Sequence, residues 1–211
     1  MAIKDVFHAF LLKNAKYDGV EEIPVIKTSK KLPNKLVSFS KCLSTKDFDQ
    51  WVMFYEYDSA FIRLWNNPTK YLPILKKFNG VITPDFSLYR NMPLVMQKWS
   101  TFQGKAIGNW LQENDIEVIP NVRFADERSY KFCFSGVEKN STVCIGSNGC
   151  VKTIVEKYYF VNGFKEMIKV LSPNNVIIYG SVPVEIKEIC DNLKINIISF
   201  KTETEIAHST K

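Results

Sequence analysis

The chain has 211 residues, 45% of them hydrophobic, with a formal net charge of +6 and a pI of 8.9. That is enough chain for one core of good size, and its content of aromatic and branched apolar residues excludes a disordered protein. No apolar run approaches the roughly 20 residues that a membrane helix needs, so no membrane partner is expected.

Five cysteines (Cys42, Cys133, Cys144, Cys150 and Cys190) form neither a C-x-x-C pair nor an even framework. Such spacing fits free thiols in a reducing compartment, which makes the cytoplasm the expected location. The two histidines, His8 and His208, sit near the termini. A Cys/His zinc site and a Ser-His-Asp or Cys-His mechanism are therefore not expected. The mildly basic balance is compatible with a polyanionic partner, but its densest cluster, Lys30, Lys31 and Lys35, reads as a solvated connection.

The first 34 residues lack a clear rhythm and are expected to form an irregular cap or lid. The opening MAIKDVFHAFLLKNAKYDG reads as part of the fold, because Asp5 interrupts its apolar patch and no small-residue cleavage site follows. Short branched or aromatic runs then alternate with helical patterns. The predicted strands are 35–39, 51–57, 80–83, 116–122, 141–146, 175–180 and 195–200, mostly continuous apolar runs of the kind buried on both faces. Helices are predicted over 67–78, 93–112, 155–171 and 184–193. Pro68, Pro93 and Pro183 mark starts, Pro73 threatens the first helix from inside, and Ser172-Pro173 stops the third. On the second, Val95, Met96, Trp99, Phe102, Ala106, Ile107, Trp110 and Leu111 share a predicted apolar face.

This alternation predicts a single α/β domain over 1–211, with about six to seven mainly parallel strands in an incomplete (βα) barrel or an open doubly wound sheet. Polar residues at nearly every strand end (Asp58, Asp85, Arg123, Ser147, Ser181) favour the barrel, which gathers all such ends around one mouth.

Both arrangements put ligands beyond the carboxyl ends of the strands, which singles out GVITPDFSLYRNMP (80–93) and PNVRFADERSY (120–130). In the first, Pro84 fixes the backbone as the strand stops, and Asp85 and Arg90 follow. The second carries Asn121, Arg123, Asp126, Glu127 and Arg128. Arginine offers forked donors to phosphate, and carboxylates hold divalent metals. Asp85, Asp126 and Glu127 are thus the catalytic candidates, with Asp85 and Asp126 as ligands of Mg²⁺ or Mn²⁺. Arg90, Arg123, Arg128 and Asn121 are the substrate-binding candidates. Ser147 and Asn148 join them from GSNGC (146–150), whose amides suit an anion. The same charges read equally as an ion network that fixes the loops.

GVITPDFSLYRNMPLVMQKW, AIGNWLQEND, IEVIPNVRFADERSYKFCFSG and GSNGC resemble, in this order, a family designated domain of unknown function 4417. The family occurs in low-GC Gram-positive bacteria, their phages and mobile elements, and the resemblance spans residues 6–181. This chain carries Phe124, Asn148 and Ser135-Gly136 where family members usually carry Trp, His and Asp-Gly. The resemblance implies a phage or mobile-element context and no particular reaction. Two function classes are expected from the residues: an enzyme, such as a metal-dependent hydrolase, acting on a nucleotide or nucleic-acid phosphate, or a non-enzymatic protein that captures a host protein, a defence component or nucleic acid. If Asp85 is catalytic, Asp85→Asn is expected to remove activity and leave the melting temperature nearly unchanged.

Overall fold

The computed structural model describes Asp5 and residues 8–209. The remaining residues of the opening segment lie outside that description.

The chain is an α/β fold. Among the described residues a short antiparallel pair, β1 (Tyr17–Asp18) and β2 (Ile23–Pro24), precedes seven parallel strands: β3 (Leu36–Ser38), β4 (Trp51–Met53), β5 (Gly80–Ile82), β6 (Val118–Ile119), β7 (Thr142–Gly146), β8 (Asn175–Tyr179) and β9 (Asn196–Phe200). They pair in strict chain order, β3-β4-β5-β6 in one ladder and β7-β8-β9 in another. The two ladders are smaller than a single six- to seven-stranded sheet, and one parallel bridge, Asn121 to Cys144, joins them. The break has a local cause: Pro120 has no N–H to give and ends β6 after two residues.

Sequential order decides between the two architectures. Right-handed crossovers between neighbours that never reverse direction place every connecting helix on one face, so the other face is buried only if the array curls on itself. It does so. One cluster draws on all seven strands, from Leu36 in β3 through Ile82, Cys144 and Ile177 to Ile198 in β9. No ladder joins β9 to β3 among the described residues, so the barrel is incomplete.

Among the described residues seven α-helices accompany the strands: α1 (Phe39–Cys42), α2 (Asp58–Asn66), α3 (Pro68–Leu75), α4 (Leu94–Glu113), α5 (Ile154–Leu171), α6 (Val184–Leu193) and α7 (Glu203–Ser209). Their cores cover the outside of the two ladders separately. Each boundary has a chemical reason. Pro68 opens α3, which stops two residues after internal Pro73, short of the predicted 78. Thr153 and Glu156 form a reciprocal capping box on α5, which ends at Ser172 in the left-handed region before Pro173. α2 went unread because only Asn67 separates it from α3, yet Phe61, Leu64 and Trp65 bury one face of it. α7 is capped by Thr202 and Glu205, which bond each other's amides at 3.1 and 2.7 Å.

The amino-terminal segment lies against the outer wall. Asn109 of α4 donates to the Leu11 carbonyl at 3.0 Å, the Gly136 amide to Asp18 at 2.9 Å, and the Ile26 amide to the Gly136 carbonyl at 2.9 Å. These contacts fill the stretch between β6 and β7, which has a short 3-10 turn (Ser129–Lys131) and no α-helix.

The predicted burial of α4 needs correction in its first half. Leu94, Val95, Met96 and Trp99 are exposed, while Gln97, Thr101, Gly104, Lys105 and Gly108 face inward. The cause is polar backbone at the strand ends. Gln97 donates to the carbonyls of Tyr89 and Met92, and a Cβ on Gly104 would stand 2.9 Å from the Pro84 carbonyl oxygen, so small and hydrogen-bonding residues must face that way.

Candidate nucleotide-binding mouth of the barrel

β5 delivers Thr83 and Pro84, both buried, and then Asp85 to the carboxyl end of the barrel. Beside it the chain crosses from one ladder to the other: the Val122 amide donates to the Cys144 carbonyl at 2.8 Å, and the Cys144 amide donates to the Pro120 carbonyl at 3.0 Å. Extended backbone there points Asn121 and Arg123 to the same side. Asn121 Nδ2 donates to Asp85 Oδ1 at 2.7 Å, and Arg123 Nη1 donates to Asp85 Oδ2 at 3.2 Å. Asn121 Oδ1 accepts from the Tyr55 hydroxyl at 2.8 Å, and that hydroxyl lies 2.9 Å from Cys144 Sγ. Burial pushes the Cys144 thiol up to about 12, so it stays protonated beside Tyr55. A continuous chain therefore runs Cys144, Tyr55, Asn121, Asp85, Arg123.

Burial raises the Asp85 carboxyl above its ordinary range, against the opposing pull of Arg123 and the Asn121 bond. Asp85 in turn holds the Arg123 guanidinium charged, pushing its pKa further up. Lys105 of α4 approaches from behind and donates to the Asn121 carbonyl at 3.1 Å. Only 3% exposed, it is brought by burial from 10.5 down to about 7. A void of about 20 Å³, the size of one water molecule, lies between Lys105, Cys133 and Arg123.

Arg123 also reaches an open cleft of about 200 Å³ on the other side. Its walls are aromatic, with Tyr89, Phe124, Tyr159 and Phe160, and its polar groups include Arg90 and Glu156. Arg90 lies over the Tyr159 ring, 4.2 Å from its centroid, so its in-plane donors remain free at the edge. Phe124 fits because α5 has a glycine opposite: a Cβ on Gly163 would come within 2.2 Å of the Phe124 ring.

The expected rim thus divides. Asp85, Asn121 and Arg123 come together. Asp126, Glu127 and Arg128 belong to a more exposed loop, where Arg128 pairs with Asp126 at 3.0 Å and donates to the Arg90 carbonyl. Ser147 is buried, bonding the Tyr179 carbonyl through its amide at 3.0 Å and its hydroxyl at 3.3 Å, and Asn148 is exposed on the same loop. The proposed pairing of Asp85 with Asp126 around a metal ion finds no support in this geometry. Asp85 engages both oxygens with Asn121 and Arg123, Asp126 serves Arg128, and the described residues contain no group of three or more His, Cys, Asp or Glu suited to a metal. Asp85 thus has both oxygens in a network, which favours an expected loss of stability on its replacement over a nearly unchanged melting temperature.

Against this geometry stands a family match. The model of the family described as Domain of unknown function (DUF4417) matches residues 15–201. The chain belongs to this family. The DUF4417 match contains the whole mouth, including the TPDFSLYR and PNVR-x-x-DER stretches on which the resemblance rested. Two relatives are phage proteins: the Gene 1 protein of Mycobacterium phage L5, 34% identical over 129 residues, covers 61% of this chain and 56% of its own length. The Gene 1 protein of Mycobacterium phage D29 is 30% identical over 142 residues, covering 67% of this chain and 51% of its own length. The chain thus spans about half the length of these relatives. No solved structure matches it. No helix among the described residues is long and apolar enough to cross a membrane.

Sequence reasoning passed over Tyr55, Lys105, Glu156 and Tyr159. Lys105 had a visible signal, a lone cation one helical turn from Thr101 and Gly108, on a stripe of small and polar residues. Tyr55 had none, because a tyrosine in an apolar run reads as core.

Proposed function

We propose that this phage-related chain binds a nucleotide or nucleic acid at the mouth of its barrel, in the cytoplasm, where its five free thiols are at home. The observation that carries the reading is the Arg123 guanidinium, held from behind by Asp85 at 3.2 Å and opening on an aromatic cleft. Arginine beside aromatic rings is the combination that holds phosphates and stacks bases. Arg90, stacked on Tyr159 at the cleft edge, supplies a second cation for the backbone, and the net charge of +6 favours approach of a polyanion. The chemistry supported is electrostatic, with Asp85 orienting Arg123 rather than acting on substrate itself.

The test is fluorescence anisotropy with labelled single-stranded DNA, duplex DNA and RNA, with and without Mg²⁺ or Mn²⁺, following cleavage in the same mixtures. At least one ligand should bind with an affinity that falls as salt rises, since phosphate contacts release counterions. Arg90→Gln should weaken that binding without moving the melting temperature. Absence of binding to all three overturns the reading, and metal-dependent cleavage makes the chain an enzyme rather than a binding module.

One observation favours capture of a host protein instead. Val95 is 73% exposed, Met96 51% and Trp99 46%, a patch of apolar side chains on one helix. Co-purification of a protein partner that Met96→Glu abolishes and Arg90→Gln spares would carry that alternative.

A further inference from the structure

Glu156 gives the cleft a polarity that the proposed function leaves unused. As the third residue of α5, it accepts the Thr153 amide through Oε2 at 3.1 Å while its own amide bonds Thr153 Oγ1 at 3.1 Å. Oε1 has no hydrogen-bond partner among the described residues, and a carboxylate has about four acceptor sites in all, so capacity remains at both oxygens. Glu156, Cys150 and Arg123 all line the same cleft. An acceptor and a donor therefore line one cleft whose walls are aromatic rings. Arg123 gives Nη1 to Asp85, and its Nε is buried without a partner.

A flat ligand between such walls must offer N–H donors at one edge and acceptors at another. Among the common bases, adenine presents a single exocyclic amine between ring acceptors, cytosine an amine beside an acceptor, and uracil or thymine one N–H between two carbonyls. Guanine alone has two adjacent donors, N1–H and the N2 amine, that match a carboxylate. Its O6 and N7 are the acceptors that arginine takes bidentately.

We propose that the cleft takes a guanine base, with Glu156 receiving N1–H and the N2 amine and Arg123 donating to O6 and N7. The proposal rests on the nucleotide-binding reading above and names the base that site selects. A cleft of about 200 Å³ suits a single base, with the ribose and phosphate left outside beside Arg90. Capping and recognition then use the same side chain.

That double use supplies a clean variant. Glutamine also completes a capping box, so Glu156→Gln keeps the helix start while exchanging one acceptor oxygen for a donor amine. The probes are labelled single-stranded heptanucleotides differing only in the central base (guanine, hypoxanthine, adenine, cytosine or thymine), with GMP and IMP as free competitors. Guanine should bind at least about tenfold tighter than hypoxanthine, which lacks only the N2 amine, and than the other bases. Glu156→Gln should erase the difference between guanine and hypoxanthine with an unchanged melting temperature. Equal binding of all five probes, or a guanine preference that survives Glu156→Gln, overturns the guanine proposal and leaves nucleic-acid binding standing. Failure of every probe and both competitors to bind overturns both.

Discussion

The Tyr55 and Tyr179 rings stack with centroids 5.0 Å apart and planes 9° from parallel. Tyr55 follows β4 and Tyr179 ends β8, four places away in the strand order. At about 4.8 Å per strand, a flat sheet would hold them some 19 Å apart. The stack therefore measures the curl of the barrel, and it places the Tyr55 hydroxyl on Asn121. Tyr55→Phe should keep the stack and lose that bond, leaving the buried Asn121 oxygen unsatisfied. A loss of about 1–3 kcal/mol in urea unfolding is expected, with weaker ligand binding. Unchanged stability would mean that Asn121 is held without Tyr55.

The Asp85–Arg123 pair should behave as a unit. Asp85→Asn leaves a half-buried guanidinium without its counter-charge, and a destabilisation of about 1–3 kcal/mol is expected, away from the near-neutral change of a purely catalytic residue. Asp85→Asn with Arg123→Met should recover much of that loss while abolishing ligand binding. Additive losses in the double-mutant cycle would show that the two side chains are not coupled.

Lys105 predicts a stability that rises with pH, as a salt-bridged acid does, but in the neutral-to-alkaline range instead of the acid one. Its folded pKa is about 7 against 10.5 for the ordinary group, so between these values the unfolded chain holds the extra proton and stability rises with pH. Below pH 7 the ammonium is charged in both states and its burial penalty is fully present. Arg123 stays charged throughout, and neighbouring Cys133, pushed up by burial, stays neutral. Lys105→Met should therefore gain most over the wild type at pH 6 and lose that advantage, on the order of a few kcal/mol, by pH 10. Urea titrations of both proteins across this range check it, and a pH-independent difference would contradict a depressed lysine.

Gly163 tests the wall of the cleft. An added methyl at this helical position would collide with the Phe124 ring at 2.2 Å, so Gly163→Ala should drive the ring into the cleft. Ligand affinity should fall at least about tenfold. Helix propensity gains up to 1 kcal/mol, so any stability change should be small next to the binding loss. Unaltered affinity would place the ligand elsewhere.

All seven parallel strands stand where their apolar runs predicted, because strands buried on both faces carry a signal in every residue. Their order was legible only as a preference, since the polar strand ends hinted at a barrel but pairing is a property of the array. The first half of α4 misled for a definable reason. Periodicity reports an apolar stripe that begins with Val95, Met96 and Trp99, whereas the buried face there is set by carbonyls needing donors, supplied by Gln97 and Lys105. At the site, Asp85, Asn121 and Arg123 were legible because they follow strands directly. Asp126 and Glu127 lie only a few residues further on, where the loop turns Asp126 to Arg128 and leaves Glu127 exposed. Glu156 was invisible as a site residue, since its sequence context explains it fully as a helix cap.

The amino-terminal segment has a consequence for the order in which the molecule assembles. Each βα unit pairs with the one made just before it, so the barrel can grow by accretion as the chain lengthens. The contacts of Leu11, Asp18 and Thr28, by contrast, span 98, 118 and 110 residues. Such long loops close late, because their entropy must be lost before any contact rewards it. This segment, made before the strands it covers, is therefore late to dock, and it waits for residue 138 before the wall between β6 and β7 is sealed.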